Sequence, residues 1–147
     1  MLAVTSYPQD YVDACRRRML SQLTAYDELT ASLAGSGAAK ARAGKALESF
    51  EPLFLGNLVL ALDECFVHRT RAIEGKDGNA LNEVRMLCTS ILHGGGVLTG
   101  DKTIKYNPEA SVLKLGIGDE VTLDTGRFRQ LLDAFLAEIE RRFADRT

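Results

Sequence analysis

The residues best able to do chemistry are crowded into one stretch, CFVHRTRAIEGKDGNALNEVRMLCTSILHGGG, from Cys65 to Gly96. It holds both histidines of the chain, two of its three cysteines and three arginines. Imidazole titrates near neutral pH and can move a proton or hold a metal. A thiolate can attack an electrophile or bind zinc. Guanidinium groups grip carboxylates and phosphates through paired N–H donors. The stretch could therefore be a reaction centre, or it could be two helices and the turn between them.

The turn is EGKDGN, with two glycines, an aspartate and an asparagine in six residues. A connection this short makes its flanking helices antiparallel neighbours. Its midpoint lies between Lys76 and Asp77, so His68 stands level with Arg85 and Cys65 with Cys88. Helical spacing adds Glu64, four residues before His68, and Asn82, three before Arg85. Glu64, His68, Asn82 and Arg85 are expected on one patch, with Glu64 or Glu83 pairing the arginine. Arg69 and Lys76 complete the candidate binding set.

Each sharper chemistry has a spacing problem. Cys65-x2-His68 and Cys88-x4-His93 have the right ligand types for zinc, yet Cys88 and His93 point about 140° apart on a helix. Both cysteines fall on apolar stripes, where cysteine packs as a small hydrophobe. They are expected buried and reduced, not catalytic. Lys76 and the first N–H groups of the helix beginning at Ala80 could hold an anion. EGKDG lacks the upstream glycine and following Ser or Thr of a phosphate loop. It is not a calcium loop either, because Leu81 and Cys88 stand where oxygen ligands are needed. No metal and no cofactor is expected.

The supporting elements read as helices. Pro8 sits in a first turn, and Val12, Cys15, Met19, Leu23, Tyr26, Leu29 and Leu33 recur at steps of three and four up to the glycines at 35 and 37. A second helix begins near Ala38, and Pro52 predicts a break near Ser49 to Glu51. The apolar segment after it, PLFLGNLVLALDECFVHRTRAI, predicts a central helix. Asn79 or Asp77 caps the next helix, whose stripe is Leu81, Val84, Cys88 and Ile91, and HGGG ends it. TIKY, SVLKLGI and EVTL alternate, with Gly118-Asp119 between the last two, which predicts a three-stranded antiparallel meander over about 102–123. Asp124 or Thr125 caps a last helix that buries Phe128, Leu131, Leu132, Phe135, Ile139 and Phe143. The expected fold is mainly α: one domain over 1–147, a bundle of four to five helices with the meander before the C-terminal helix.

Composition narrows the function. The chain has 147 residues, 46% hydrophobic and 26% charged, with a net charge of -2. It has no bulk positive field for nucleic acid or anionic membrane. Its three cysteines suit a reducing compartment, and MLAVTSYPQD lacks the pattern of a signal peptide. Twelve arginines against six lysines suit a GC-rich bacterial genome. A cytoplasmic protein is expected. The all-round apolar segment after Pro52 needs cover, and a second copy of the chain would supply it, so a homodimer is expected.

EVRMLCTSILHGGG resembles the last core helix of HEPN domains, helical bundles whose active members cleave RNA at a dimer interface. Their signature is an Arg, usually followed by Asn, then four to six residues and a His. The resemblance implies Arg85 and His93 as a ribonuclease pair of a toxin or defence system. Seven residues separate them here, and Met86 stands in place of the Asn. EGKDGNALNEVRMLC also resembles a stretch of uncharacterised bacterial proteins and brings no function with it. The leading expectation is a bundle that binds a small molecule or a protein. A HEPN-like ribonuclease using Arg85 and His93 comes second, and a metal-dependent enzyme third.

Overall fold

The computed structural model describes residues 3–33, 35 and 37–145. Five helices follow in order: α1 Gln9–Ser32, α2 Ala38–Cys65, the single turn α3 Arg71–Glu74, α4 Ala80–His93 and α5 Thr125–Arg142. Helix α1 buries Val12, Cys15, Met19, Leu23 and Tyr26, the expected stripe. Leu29, near its end, stays 49% exposed, because the α1–α2 hairpin outruns the bundle there.

Helix α2 runs through Pro52 without a break. Proline lacks an N–H, so the Glu48 carbonyl loses its helical donor, but φ near -65° still fits the helix. Burial in α2 begins only at Leu55 and continues through Gly56, Leu58, Val59 and Leu62. Its cover comes from α1, α4 and α5 of the same chain. The more enclosed helix is α4, which buries nine of its fourteen residues, including Asn82, Glu83 and Ser90. It packs against both α2 and α5. Asn79 caps α4 by accepting from Leu81 N and Asn82 N, and Asp124 caps α5 by accepting from Arg127 N at 2.7 Å. Phe128, Leu131, Leu132, Phe135, Leu136 and Ile139 of α5 are buried.

The expected meander does not form. Among the described residues there is no sheet, only isolated bridges: Val4 with Arg69, Tyr7 with Ala144, and Val97 with Glu120. The reason lies in where the backbone donors of 94–124 go. Val112 N and Leu113 N donate to the Glu83 carboxylate at 2.8 and 3.0 Å. Lys105 N donates to Lys76 O, and Lys114 N to the Ser111 hydroxyl. The 116–119 turn does form, yet its flanks pair with the segment after α4: Leu98 N donates to Asp119 O and Val121 N to Gly96 O, both at 2.8 Å. Pro108–Ala110 is a 3-10 turn. The alternation was informative in part: Leu113 and Leu115 are buried with Lys114 exposed between them, whereas Ile117, in step with the leucines, is exposed. It recorded a buried face, not a ladder.

No helix among the described residues is long and apolar enough to cross a membrane.

Candidate functional site

Helix α2 stops at Cys65, and the chain turns through Phe66–Thr70 before α3. Phe66 is fully buried. The N-terminal segment clamps this turn: Val4 N donates to His68 O at 2.7 Å and Thr70 N to Val4 O at 2.9 Å. Alternation along the clamped segment sends Arg69 inward and His68 outward. Arg69, only 3% exposed, donates from Nη1 to Asp63 Oδ1 at 2.9 Å and Phe66 O at 3.0 Å, and from Nη2 to Leu81 O at 3.3 Å. Its guanidinium also stands 5.4 Å from the Phe135 ring centroid, a cation–π contact.

The group that organises the rest is Glu74, at the end of α3 and wholly buried. Its carboxylate accepts from Arg69 Nε, from Arg85 Nε at 3.0 Å and Nη2 at 2.8 Å, and from Asn82 Nδ2 at 3.0 Å. Arg71 Nε lies 3.4 Å away. Burial opposes the charge on Glu74, but hydrogen bonds and charge from Arg85 and Arg69 outweigh it and hold the carboxyl below its ordinary value. Arg85 is shifted the other way: burial disfavours its charge, and Glu74 more than compensates. Asn82 ties the pair to the turn, accepting from Gly78 N at 2.9 Å and donating to Gly75 O at 3.0 Å. Gly78 has φ 86°, and a β-carbon there would overlap the Lys105 carbonyl oxygen, so the turn also seats the following segment. From α5, Arg142 donates to Glu74 O at 3.1 Å and Asp77 Oδ2 at 3.3 Å.

Of the six candidate binding residues, the fold gathers Arg69, Asn82 and Arg85. Glu64, His68 and Lys76 are exposed, and their side chains make no hydrogen bond or ion pair within the described residues. His68 lies in the turn after α2, not on a helix facing Arg85. The acid on Arg85 is Glu74 rather than Glu64 or Glu83, since Glu83 is committed to the backbone of 112 and 113. Asp63 and Glu74 were missed. Glu74 carried a signal, standing three residues after Arg71 and five after Arg69.

The other chemistries find little support in the geometry. The first N–H groups of α4 are taken by Asn79, which leaves no open anion cradle beside Lys76. Cys88 is buried with its thiol pushed up to about 12, chiefly by desolvation, so thiolate is scarce near neutral pH. Cys65 is half-buried rather than fully buried as its stripe implied. His93 is exposed at the last residue of α4, two turns beyond an Arg85 whose fork is closed by Glu74. No cluster of three or more His, Cys, Asp or Glu that could hold a metal occurs among the described residues. The chain matches no known family model, no curated protein and no solved structure.

An unfilled space lies elsewhere. Between α2, the end of α4 and the segment before α5 is a cavity of about 280 Å³, lined by Pro52, Leu53, Gly56, Asn57, Ile91 and Leu123. Leu53 at its rim is 68% exposed. The Asn57 side chain, also exposed, has no hydrogen bond to the described residues.

Proposed function

We propose that this chain is a binding module, and that its ligand is a small, mostly apolar molecule seated in the cavity beside Gly56. The observation that carries the reading is a contrast. The buried polar groups around Glu74 are bonded to one another, whereas the apolar cavity has one unused amide, that of Asn57, beside it. Ligand sites are concave and mainly apolar, with a few polar groups to fix orientation. An apolar cavity of about 150 Å³ takes one benzene, so this one suits a molecule of roughly a dozen non-hydrogen atoms. One carbonyl or hydroxyl on it would meet Asn57.

Octanoate and octanamide are suitable probes, titrated while backbone amide resonances are followed. Shifts should centre on Leu53–Asn57, Ile91 and Val121–Leu123. Gly56→Leu should abolish them by filling the space. The Cβ itself would have room, with Ile91 Cδ1 as its nearest neighbour at 3.8 Å. Asn57→Ala should weaken binding of octanamide about fivefold or more, in line with the loss of one hydrogen bond. Absence of binding at millimolar probe, or equal binding by folded Gly56→Leu protein, would reject the reading.

A further inference from the structure

Two arginines on the Glu74 carboxylate have donors that the protein leaves unused. Arg85 spends Nε and Nη2 on Glu74, at 3.0 and 2.8 Å, which closes one edge of its fork. Its Nη1 bonds nothing among the described residues, and no buried side-chain nitrogen or oxygen among them lacks a partner, so Nη1 opens to solvent. Arg71 Nε lies 3.4 Å from Glu74 Oε2, the same oxygen that Arg85 Nε meets, so the two guanidinium groups are neighbours. The Arg71 side chain is 42% exposed, and its two Nη groups have no partner among the described residues. Glu74 thus anchors both side chains from inside and leaves their outer edges open. Three arginines, Arg69, Arg71 and Arg85, meet two carboxylates here, Glu74 and Asp63, so one positive charge is left over. One further acid approaches. Thr99 N donates to Ser90 Oγ at 3.0 Å and Lys105 N to Lys76 O at 2.8 Å, so the chain between them runs back along α4 past Arg85. Asp101 lies on that stretch, but Thr103 N and Oγ1 hold its Oδ1 at 2.8 and 2.6 Å, and it forms no ion pair among the described residues. Those hydrogen bonds first, and then the charges of Arg71 and Arg85, keep the Asp101 carboxyl below its ordinary value.

We infer that Arg71 and Arg85 form a binding site for a terminal phosphate, the dianionic group of a small phosphate monoester or of inorganic phosphate. Guanidinium edges grip carboxylates and phosphates through paired N–H bonds. Two such edges stand side by side here. A carboxylate has only two oxygens to share between them, whereas a terminal phosphate offers three and carries more charge. The site is already built: Glu74 holds both side chains, so little of their freedom is lost when the anion arrives. Asp101 opposes the anion, so binding is weak and tightens when that charge is removed. The site is separate from the apolar cavity, because Ile91 in the cavity wall lies about 120° around α4 from Arg85. Neither site depends on the other.

The test titrates the native full chain, in low salt, with inorganic phosphate and separately with glycerol 3-phosphate, and follows the arginine Nε–H resonances. Saturable shifts should appear on Arg71 and Arg85. Binding of both probes supports a monoester ligand, and binding of inorganic phosphate alone supports a free-phosphate site. Dimethyl phosphate, with one charge and two terminal oxygens, should bind about tenfold more weakly. Arg71→Gln should weaken phosphate binding about tenfold, and Arg85→Lys, which keeps the charge but not the fork, should weaken it too. Asp101→Asn should tighten it about threefold. Lys45→Ala, in the exposed first half of α2, should leave it unchanged. Each variant is first shown to be folded by circular dichroism. The inference is overturned by the absence of saturable shifts at about 20 mM phosphate, a concentration that would still reveal very weak binding. It is overturned equally if dimethyl phosphate or acetate binds as tightly as phosphate, if folded Arg71→Gln binds like wild type, or if Lys45→Ala loses as much as Arg71→Gln.

Discussion

Glu74 is the anion for three arginines, and its loss has a calculable direction. Glu74→Gln keeps the shape but leaves Arg69 buried beside a neutral amide. Breaking a buried ion pair from one side costs about 3–5 kcal/mol, and urea unfolding at neutral pH should read a loss of that order. Arg69→Met with Glu74→Gln should cost less than the two single changes summed, because the orphaned charge is removed. The same carboxyl gives a pH signature. Its folded value is depressed below 4.5, so its contribution is fully present above that value and is lost as pH falls through the folded one. Wild type should therefore lose more stability than Glu74→Gln on acidification below about 4.5, and parallel curves would show the carboxylate to be uncharged or unpaired. Asn82 and Arg85 were legible from their spacing about the turn, whereas Arg69 was named without a spacing argument and the partner that spacing gave Arg85, His68, is exposed. Glu74 was not legible, because an acid in a polar turn reads as solvated. Arg69, Asn82 and Arg85 enclose its carboxylate, and Arg142 from α5, far away in sequence, donates to its backbone carbonyl.

Helix α4 is fixed at its start by a turn that also holds the segment before α5. Gly78→Ala forces a side chain into left-handed backbone against Lys105 O and should cost at least about 2 kcal/mol. Asn79→Ala removes the cap and should cost about 1 kcal/mol. Glu83→Ala strands the N–H groups of Val112 and Leu113. It should deprotect those two amides in hydrogen exchange well before α4 itself loosens, and uniform loss of protection would place Glu83 in the helix's own stability instead. The helices were legible because their periods and caps are local: residue types narrowed the caps to Asn79 or Asp77 and to Asp124 or Thr125, and Asn79 and Asp124 make them. The meander was misread because alternation reports which face is buried, whereas a ladder needs free backbone donors. Glu83 and Lys76, from distant parts of the chain, had already taken them. Pro52 misled for a related reason, since one missing hydrogen bond costs less than the packing that α2 gains beyond it.

Across the molecule, protection should be uneven. The hairpin formed by the end of α1 and the first half of α2 is mostly exposed, while Leu55–Leu62 is largely enclosed. Amides of residues 40–50 should exchange faster than those of 55–62 by orders of magnitude. Pro52→Ala should narrow that gap and raise stability by about 1–3 kcal/mol, by restoring a donor for Glu48 O; an unchanged gap would mean that exposure, not the proline, sets local opening. The bridge between Tyr7 and Ala144, sealed by Tyr7 N on Phe143 O at 2.8 Å, has a separate consequence. It sets the segment entering α1 beside the segment leaving α5, so the path of the chain is nearly a closed ring. A short glycine–serine linker could join them, and new ends could be opened between α1 and α2, whose facing ends are mostly exposed. Such a circular permutant should fold to the same bundle with Glu74 still enclosed. The fold is then a property of which surfaces meet, and the direction in which the ring is cut is incidental to it.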